Sequence, residues 1–250
     1  MKINRYQAFG GHLLGSISVA LSAAALVFLV WYPGPLAQAS GVVSIFLILL
    51  GVDVVVGPCI TLIVFDQAKK ELKRDLAVVL ALQMGALLYG MHAVFVARPV
   101  YSVFSVDRFE VVFANDLSEE KLAKVSAPEF KTVPLFGPKV VAARRPETAE
   151  ERLQIAMNAV SGGDDVAQMP QYYEAYGLAK DPVLKRLQPI EKLRQYNKGR
   201  EAEIDQLIQR NAQRAGGIGF LPMRVKVQDL TVVVARDTAE ILDTLTLSPW

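Results

Sequence analysis

The chain has 250 residues, 52% of them hydrophobic, with 27 Lys and Arg against 25 Asp and Glu, and the apolar residues crowd into the first hundred positions. From Arg98 onward there are 21 basic and 21 acidic residues, so this part offers no electrostatic footprint for nucleic acid. The same part contains no Cys and no His, which removes Cys/His zinc sites, Ser-His-Asp catalysis and Cys-His catalysis from it.

Residues 12–31 are an uncharged run of the length, about 20 residues, that an α-helix needs to cross a hydrocarbon core of roughly 30 Å. Two more runs cover 41–65 and 76–96. Three such runs joined by short turns predict a membrane domain over 1–97 with three transmembrane helices. The basic residues Lys2 and Arg5 precede the first span, and Lys69, Lys70, Lys73 and Arg74 fill the second connection, so these segments are expected in the cytoplasm and everything after Arg98 outside. The stretch KKELKR (69–74) also offers cations to anionic lipid, although retention on the inner side already accounts for it. Trp31 and Tyr32 suit an interfacial aromatic belt. The triplet Ala37, Gln38, Ala39 resembles a signal-peptidase site, but the first run is longer than the roughly 7 to 15 apolar residues of a signal h-region and reads as an anchor.

Asp53 interrupts the second run, LILLGVDVVVGPCITLIVF (47–65), near its middle, where an ionised carboxylate costs about 2.5 to 3.5 kcal/mol. It should face away from lipid. By depth, Ser22 in span one and Gln83 in span three are the groups expected beside it, with a neutral, protonated Asp53 donating to one of them. On that reading Asp53→Asn is tolerated and Asp53→Leu lowers the amount of protein in the membrane; the alternative is that the carboxylate serves a partner. Gly57 and Pro58, one turn on, should loosen the backbone and let span two kink. Gly11, Gly15, Ser18 and Ser22 place small residues on one face of span one, with Gly85 and Gly90 as weaker options in span three, and packing among the three spans is the favoured use of that face over docking another helix. Cys59, the only cysteine, lies within span two, so no disulfide forms within the chain. Both histidines, His12 and His92, sit in or beside the spans.

After Arg98, PVYSVFSVDRFEVVFA (99–114) reads as two strands around Asp107 and Arg108, apolar on both faces and therefore interior. SEEKLAKV (118–125) has a capping Ser and acidic first turn and predicts a short helix. Four prolines make 127–146 irregular, and a helix is expected over 147–160 with Leu153, Ile155, Ala156 and Val160 as its apolar side. Short amphipathic pieces broken by Pro170, Pro182 and Pro189 lead to a helix over 201–214, stopped by Gly216 and Gly217. FLPMRVKV, LTVVVARD and EILDTLTL then predict an antiparallel meander. The whole is an α+β domain with antiparallel sheet over 98–250, large enough for its own core. SGGDD (161–165) lacks the flanking pattern of a cyclase signature or cation loop and reads as a turn. No Walker-type loop and no G-x-G-x-x-G occurs, so no cofactor, metal or catalytic residue is assigned.

HLLGSISVAL with FLVWYPGPL, LILLGVDVVVGP with TLIVF, DLAVVLALQMGALLYG, ARPVYSVFSVDRFEVV and the terminal LPMRVKVQDLTVVVARDTAEIL with SPW together resemble the type IV pilin accessory proteins, the TfpX/TfpZ type. The resemblance covers the three spans and both strand blocks. It implies an inner-membrane protein of Gram-negative bacteria, usually matched to one major pilin, that promotes pilus assembly and twitching motility, with the pilin first and the pilus assembly machinery second as partners beside membrane lipid. It supplies no catalytic residue. A processed pilin's membrane helix starts with a free amine, but that end lies near the membrane surface, which makes pairing with Asp53 awkward. The competing reading is a membrane-anchored periplasmic enzyme using carboxylates such as Asp107 or Asp116; a sensor is disfavoured because the cytoplasmic loops are too short for an output domain.

Overall fold

In the computed structural model, residues 4–214 and 216–250 are described; Lys2 lies outside them. Span one begins earlier than the uncharged run. Asn4 caps it, its side chain accepting from the Gln7 N–H at 2.8 Å while the Gln7 side chain accepts from the Asn4 N–H at 3.0 Å. From that cap the helix runs over Arg5–Trp31, 27 residues, its last turn a wide π-helical one at Leu26–Trp31. Span two covers Val42–Val64 and span three Leu72–Val96, 23 and 25 residues, and each exceeds the roughly 20 needed to cross the bilayer. Leu29, Ile63 and Tyr89 point their side chains outward, as lipid-facing residues do.

Span two packs against both neighbours. At one end of the helices Phe28 meets Phe46 edge-on at 5.1 Å, and Trp31 lies 5.1 Å from Phe95. Tyr32 is buried and does not sit in an aromatic belt: its hydroxyl lies 3.0 Å from the Val94 carbonyl and 2.8 Å from that of Ala97, the unpaired carbonyls at the end of span three.

The chain divides into two compact units, Met1–Pro33 with Gly41–Ala97, and Gly34–Ser40 with Arg98–Trp250. Seven of the ten residues between spans one and two, Gly34–Ser40, therefore fold with the C-terminal domain. Leu36 and Ala39 are buried in its core, and the Ala39 carbonyl accepts from the Val227 and Gln228 N–H groups at 2.9 and 3.3 Å. The Ala-Gln-Ala triplet thus belongs to folded structure.

That domain is α+β, as expected. Among the described residues its eight strands are β1 (Pro99–Ser105), β2 (Arg108–Phe113), β3 (Lys139–Ala143), β4 (Tyr173–Ala175), β5 (Gln188–Pro189), β6 (Ile218–Arg224), β7 (Leu230–Ala235) and β8 (Ile241–Leu245), in the order β4-β3-β1-β2-β6-β7-β8 with β5 beside β6. The β6-β7-β8 meander and the β1-β2 hairpin are antiparallel, while β1-β3 and β2-β6 pair in parallel, so the sheet is mixed. Parallel joins need long crossovers. The proline-containing stretch supplies one for β3, and the helical segment before β6 supplies the other.

Strands β1 and β2 are buried along almost their whole length because both sheet faces are covered. One face carries Phe109, Leu221 and Val232, packed with Leu36, Ala39 and Val183; the other carries Tyr101, Val103 and Val112 at one end and Phe220 and Val233 at the other. The expected helices form at Glu119–Ala123, Ala149–Val160 and Glu201–Arg210. In Ala149–Val160, Leu153, Ala156, Met157 and Val160 face solvent, and Ile155 lies on the packed side, so the apolar side anticipated there is mostly exposed.

Candidate functional site

Asp53 sits at the centre of span two inside a π-helical turn, Gly51–Val56. The turn has a local cause. Gly57 donates its N–H to Val52, five residues back, and in that register the next donor, for the Asp53 carbonyl, is residue 58. Residue 58 is proline and has no N–H. The freed carbonyl is taken up from span three, where Gln83 Nε2 donates to it at 3.2 Å. Gly57 makes room for this bond, since a Cβ there would lie 1.7 Å from Gln83 Nε2.

The structure therefore brings Asp53, Gly57, Pro58 and Gln83 together. The bond, however, is to the Asp53 backbone. Asp53 Oδ1 has no hydrogen-bond partner among the described residues, and neither has Gln83 Oε1. Ser22 stands apart: its hydroxyl donates to the Ser18 carbonyl at 2.9 Å and faces outward. Because span one starts at Arg5, its midpoint lies four residues before Ser22, and the span-one residues beside Asp53 are His12, Gly15, Ser16 and Val19. Together with Leu80, Gln83, Met84 and Leu87 of span three they enclose a cavity of about 230 Å³ over Asp53.

His12 was not assigned a role from sequence. Its Nδ1 lies 2.6 Å from Thr61 Oγ1, tying spans one and two together beside the cavity. The signal was a polar side chain within a membrane helix, which asks for a partner at matching depth. Gly11, Gly15, Ser18 and Ser22 are all exposed, and added Cβ atoms at Gly11 and Gly15 would meet nothing within 4 Å. The small-residue face of span one is thus not used for packing among the three spans. In span three Gly90 does pack internally, with Leu49 lying where its Cβ would be.

In the C-terminal domain the carboxylates considered for chemistry have structural partners. Asp107 pairs with Arg108 at 2.8 Å, and Asp116 accepts from the Phe113 N–H at 2.8 Å. SGGDD forms the turn after the helix Ala149–Val160, with Gly162 at φ +84°, Asp164 2.6 Å from Lys121 Nζ, and Asp165 accepting from the Val166 N–H at 2.7 Å. Asp116, Asp164 and Asp165 border an open cavity of about 560 Å³ together with Glu110, Arg224 and Lys226. Glu110 is the buried member. Burial, then the nearby Asp165, push its carboxyl above the ordinary 4.5, against the opposing pull of Arg224, Arg108 and a Gln168 hydrogen bond.

The sign of the linkage follows. The folded domain holds the Glu110 proton to higher pH than the unfolded chain, so this group's contribution is most favourable below about pH 4.5 and is lost as pH rises through the folded value. Glu110→Gln is expected to raise the denaturation midpoint of the purified protein at pH 7 and to change it little at pH 4.5. An equal gain at both pH values would contradict the assignment.

Three apolar spans, one of them carrying a buried carboxyl at mid-depth, and a mixed-sheet domain define a polytopic membrane protein with a folded extramembrane domain. Residues 2–41 match the family model described as fimbrial assembly protein FimB. Over 217 residues the chain is 32% identical to the fimbrial assembly protein of serogroup I from Dichelobacter nodosus, covering 86% of this chain and 84% of the relative, and the serogroup E1 protein of the same organism gives the same figures. The protein of serogroups C1 and C2 is 36% identical over 115 residues, 45% of this chain and 88% of that relative. No solved structure matches. The chain belongs to the family of fimbrial assembly proteins, in agreement with its resemblance to the type IV pilin accessory proteins.

Proposed function

We propose that the protein is a non-catalytic, chaperone-like factor of type IV pilus assembly that holds the major pilin in the inner membrane before the subunit enters the fibre. The observation that carries this reading is the relation to fimbrial assembly proteins along 86% of the chain, spans and outer domain alike. The membrane unit supports it physically: a subunit anchored by one apolar helix is met by lateral helix contacts, and the Gly11, Gly15, Ser18 and Ser22 face is open for a close one.

In the proposed orientation Arg5 and the cluster Lys69, Lys70, Lys73 and Arg74 are cytoplasmic and the outer domain is periplasmic. The joint folding of Gly34–Ser40 with Arg98–Trp250 supports a topology in which both segments leave the membrane on one side. The enzyme reading draws nothing from Asp107 or Asp116, which serve an ion pair and a turn. Deleting the gene is expected to reduce surface pili and twitching while pilin transcripts stay level, because the factor acts on the subunit. Normal piliation and twitching in a clean deletion would overturn the reading.

A further inference from the structure

Among the described residues, Asp53 and Gln83 leave buried oxygen atoms without a hydrogen-bond partner, although the His12 ring on the same cavity wall interacts electrostatically with the Asp53 carboxyl. Asp53 is only 8% exposed, and the atoms concerned are its Oδ1 and Gln83 Oε1 beside it. Both residues line the cavity between spans one and three. An amide carbonyl is acceptor only, so Gln83 Oε1 calls for a donor, and the Asp53 carboxyl keeps an acceptor oxygen for the same donor whether it is ionised or protonated. Leaving such atoms unmet in hydrocarbon is costly. Lipid tails offer no donor.

Size narrows the occupant. The cavity of about 230 Å³ lies below the roughly 300 to 1,000 Å³ of small-molecule sites and is several times the roughly 30 Å³ of one water. It suits a side chain entering from a helix alongside. Gly15 forms part of the rim, and with nothing within 4 Å of its missing Cβ, a second helix has room to approach its backbone closely. A widened π turn carries Asp53, the kind of local irregularity that recurs where a helix does more than span.

We propose that this cavity receives a hydrogen-bond-donating side chain from the membrane helix of the pilin, at the depth of Asp53. The inference rests on the pilin-binding reading above and adds the place and chemistry of the contact. Asp53 and Gln83 accept the donor, Gly15 permits the approach, and Val19 and Met84 flank it.

The test places a photo-crosslinking residue at Met84 in the cavity wall, at Ile63 on the lipid side, and at Val227 in the outer domain, each in the full chain in living cells. Met84 is expected to capture pilin at least ten times more than Ile63, with the adduct mapping by mass spectrometry to the middle of the pilin's membrane helix. Gly15→Leu, for which the chain itself has space, fills the cavity and should reduce that adduct at least ten-fold with the protein equally abundant. Asp53→Leu should do the same, and Asp53→Asn, which keeps an acceptor oxygen, should retain most of it. Pilin captured at Val227 but not at Met84 would overturn the seat and leave pilin binding standing. No pilin adduct at any of the three positions would overturn both. A Met84 adduct with a second copy of this chain, or one indifferent to Gly15→Leu and Asp53→Leu, would also overturn the proposal.

Discussion

Ala39→Asp should destabilise the C-terminal domain strongly although residue 39 lies in the short loop between spans one and two. Ala39 is fully buried, and its carbonyl accepts from two backbone N–H groups of the turn between β6 and β7. Placing a charge at this fully buried position while overpacking the core costs more than about 4 kcal/mol. Total stabilities are about 5 to 15 kcal/mol, so a quarter or more of the domain's margin disappears. Limited proteolysis of the purified protein in detergent should show residues 98–250 degraded at a protease concentration that leaves the parent intact. Gln38→Asp, one residue earlier and exposed, should behave like the parent. Equal resistance of Ala39→Asp and the parent would mean that the loop is not part of the core.

The second large effect is expected at Gly57. A Cβ there overlaps the Gln83 amide, so Gly57→Ala displaces the end of that side chain and leaves the Asp53 carbonyl without its donor. Gly57→Leu also forces spans two and three apart, and overpacking together with an orphaned buried carbonyl costs about 2 to 4 kcal/mol. Unfolding titration in detergent, followed by the amount of protein in membranes, should show Gly57→Leu as the more severe of the two. Because the collision is with Gln83, the pair Gly57→Ala with Gln83→Ala should be milder than the sum of the single changes, by about 0.5 kcal/mol or more. Strict additivity would mean that the two residues do not meet.

These two cases divide what a sequence shows from what only three dimensions show. Span number was legible because uncharged runs of membrane length have few other uses, and Asp53, Gly57, Pro58 and Gln83 were legible because a carboxyl at mid-depth, a helix-breaking pair and an amide at matching depth are each costly in lipid. The partner of the amide was not. Pairing by depth assigned the carboxyl, whereas the missing N–H of Pro58 hands Gln83 to the backbone. Asp53→Leu is therefore expected to leave the amount of protein unchanged, the reverse of what the sequence implies. Ser22 was misplaced because the helix starts at Arg5, seven residues before His12, where the apolar run was taken to begin.

The role of Gly34–Ser40 had no local signal: seven uncharged residues between spans look like a turn, and only the sheet that they pack against gives Leu36 and Ala39 their purpose. The hairpin and the terminal meander were readable from β-branched runs, while β3, five residues in a proline-containing stretch, was not. Its parallel pairing with β1 is a long-range choice that no window of sequence encodes.

The proposed function requires physical association with the pilin subunit. Membranes solubilised in mild detergent, followed by isolation of the tagged full-length chain and quantification of pilin by mass spectrometry, test it most directly. Pilin should be enriched at least ten-fold over a tagged three-span protein of unrelated function expressed at the same level, and pilin recovered no better than with that control would contradict the account.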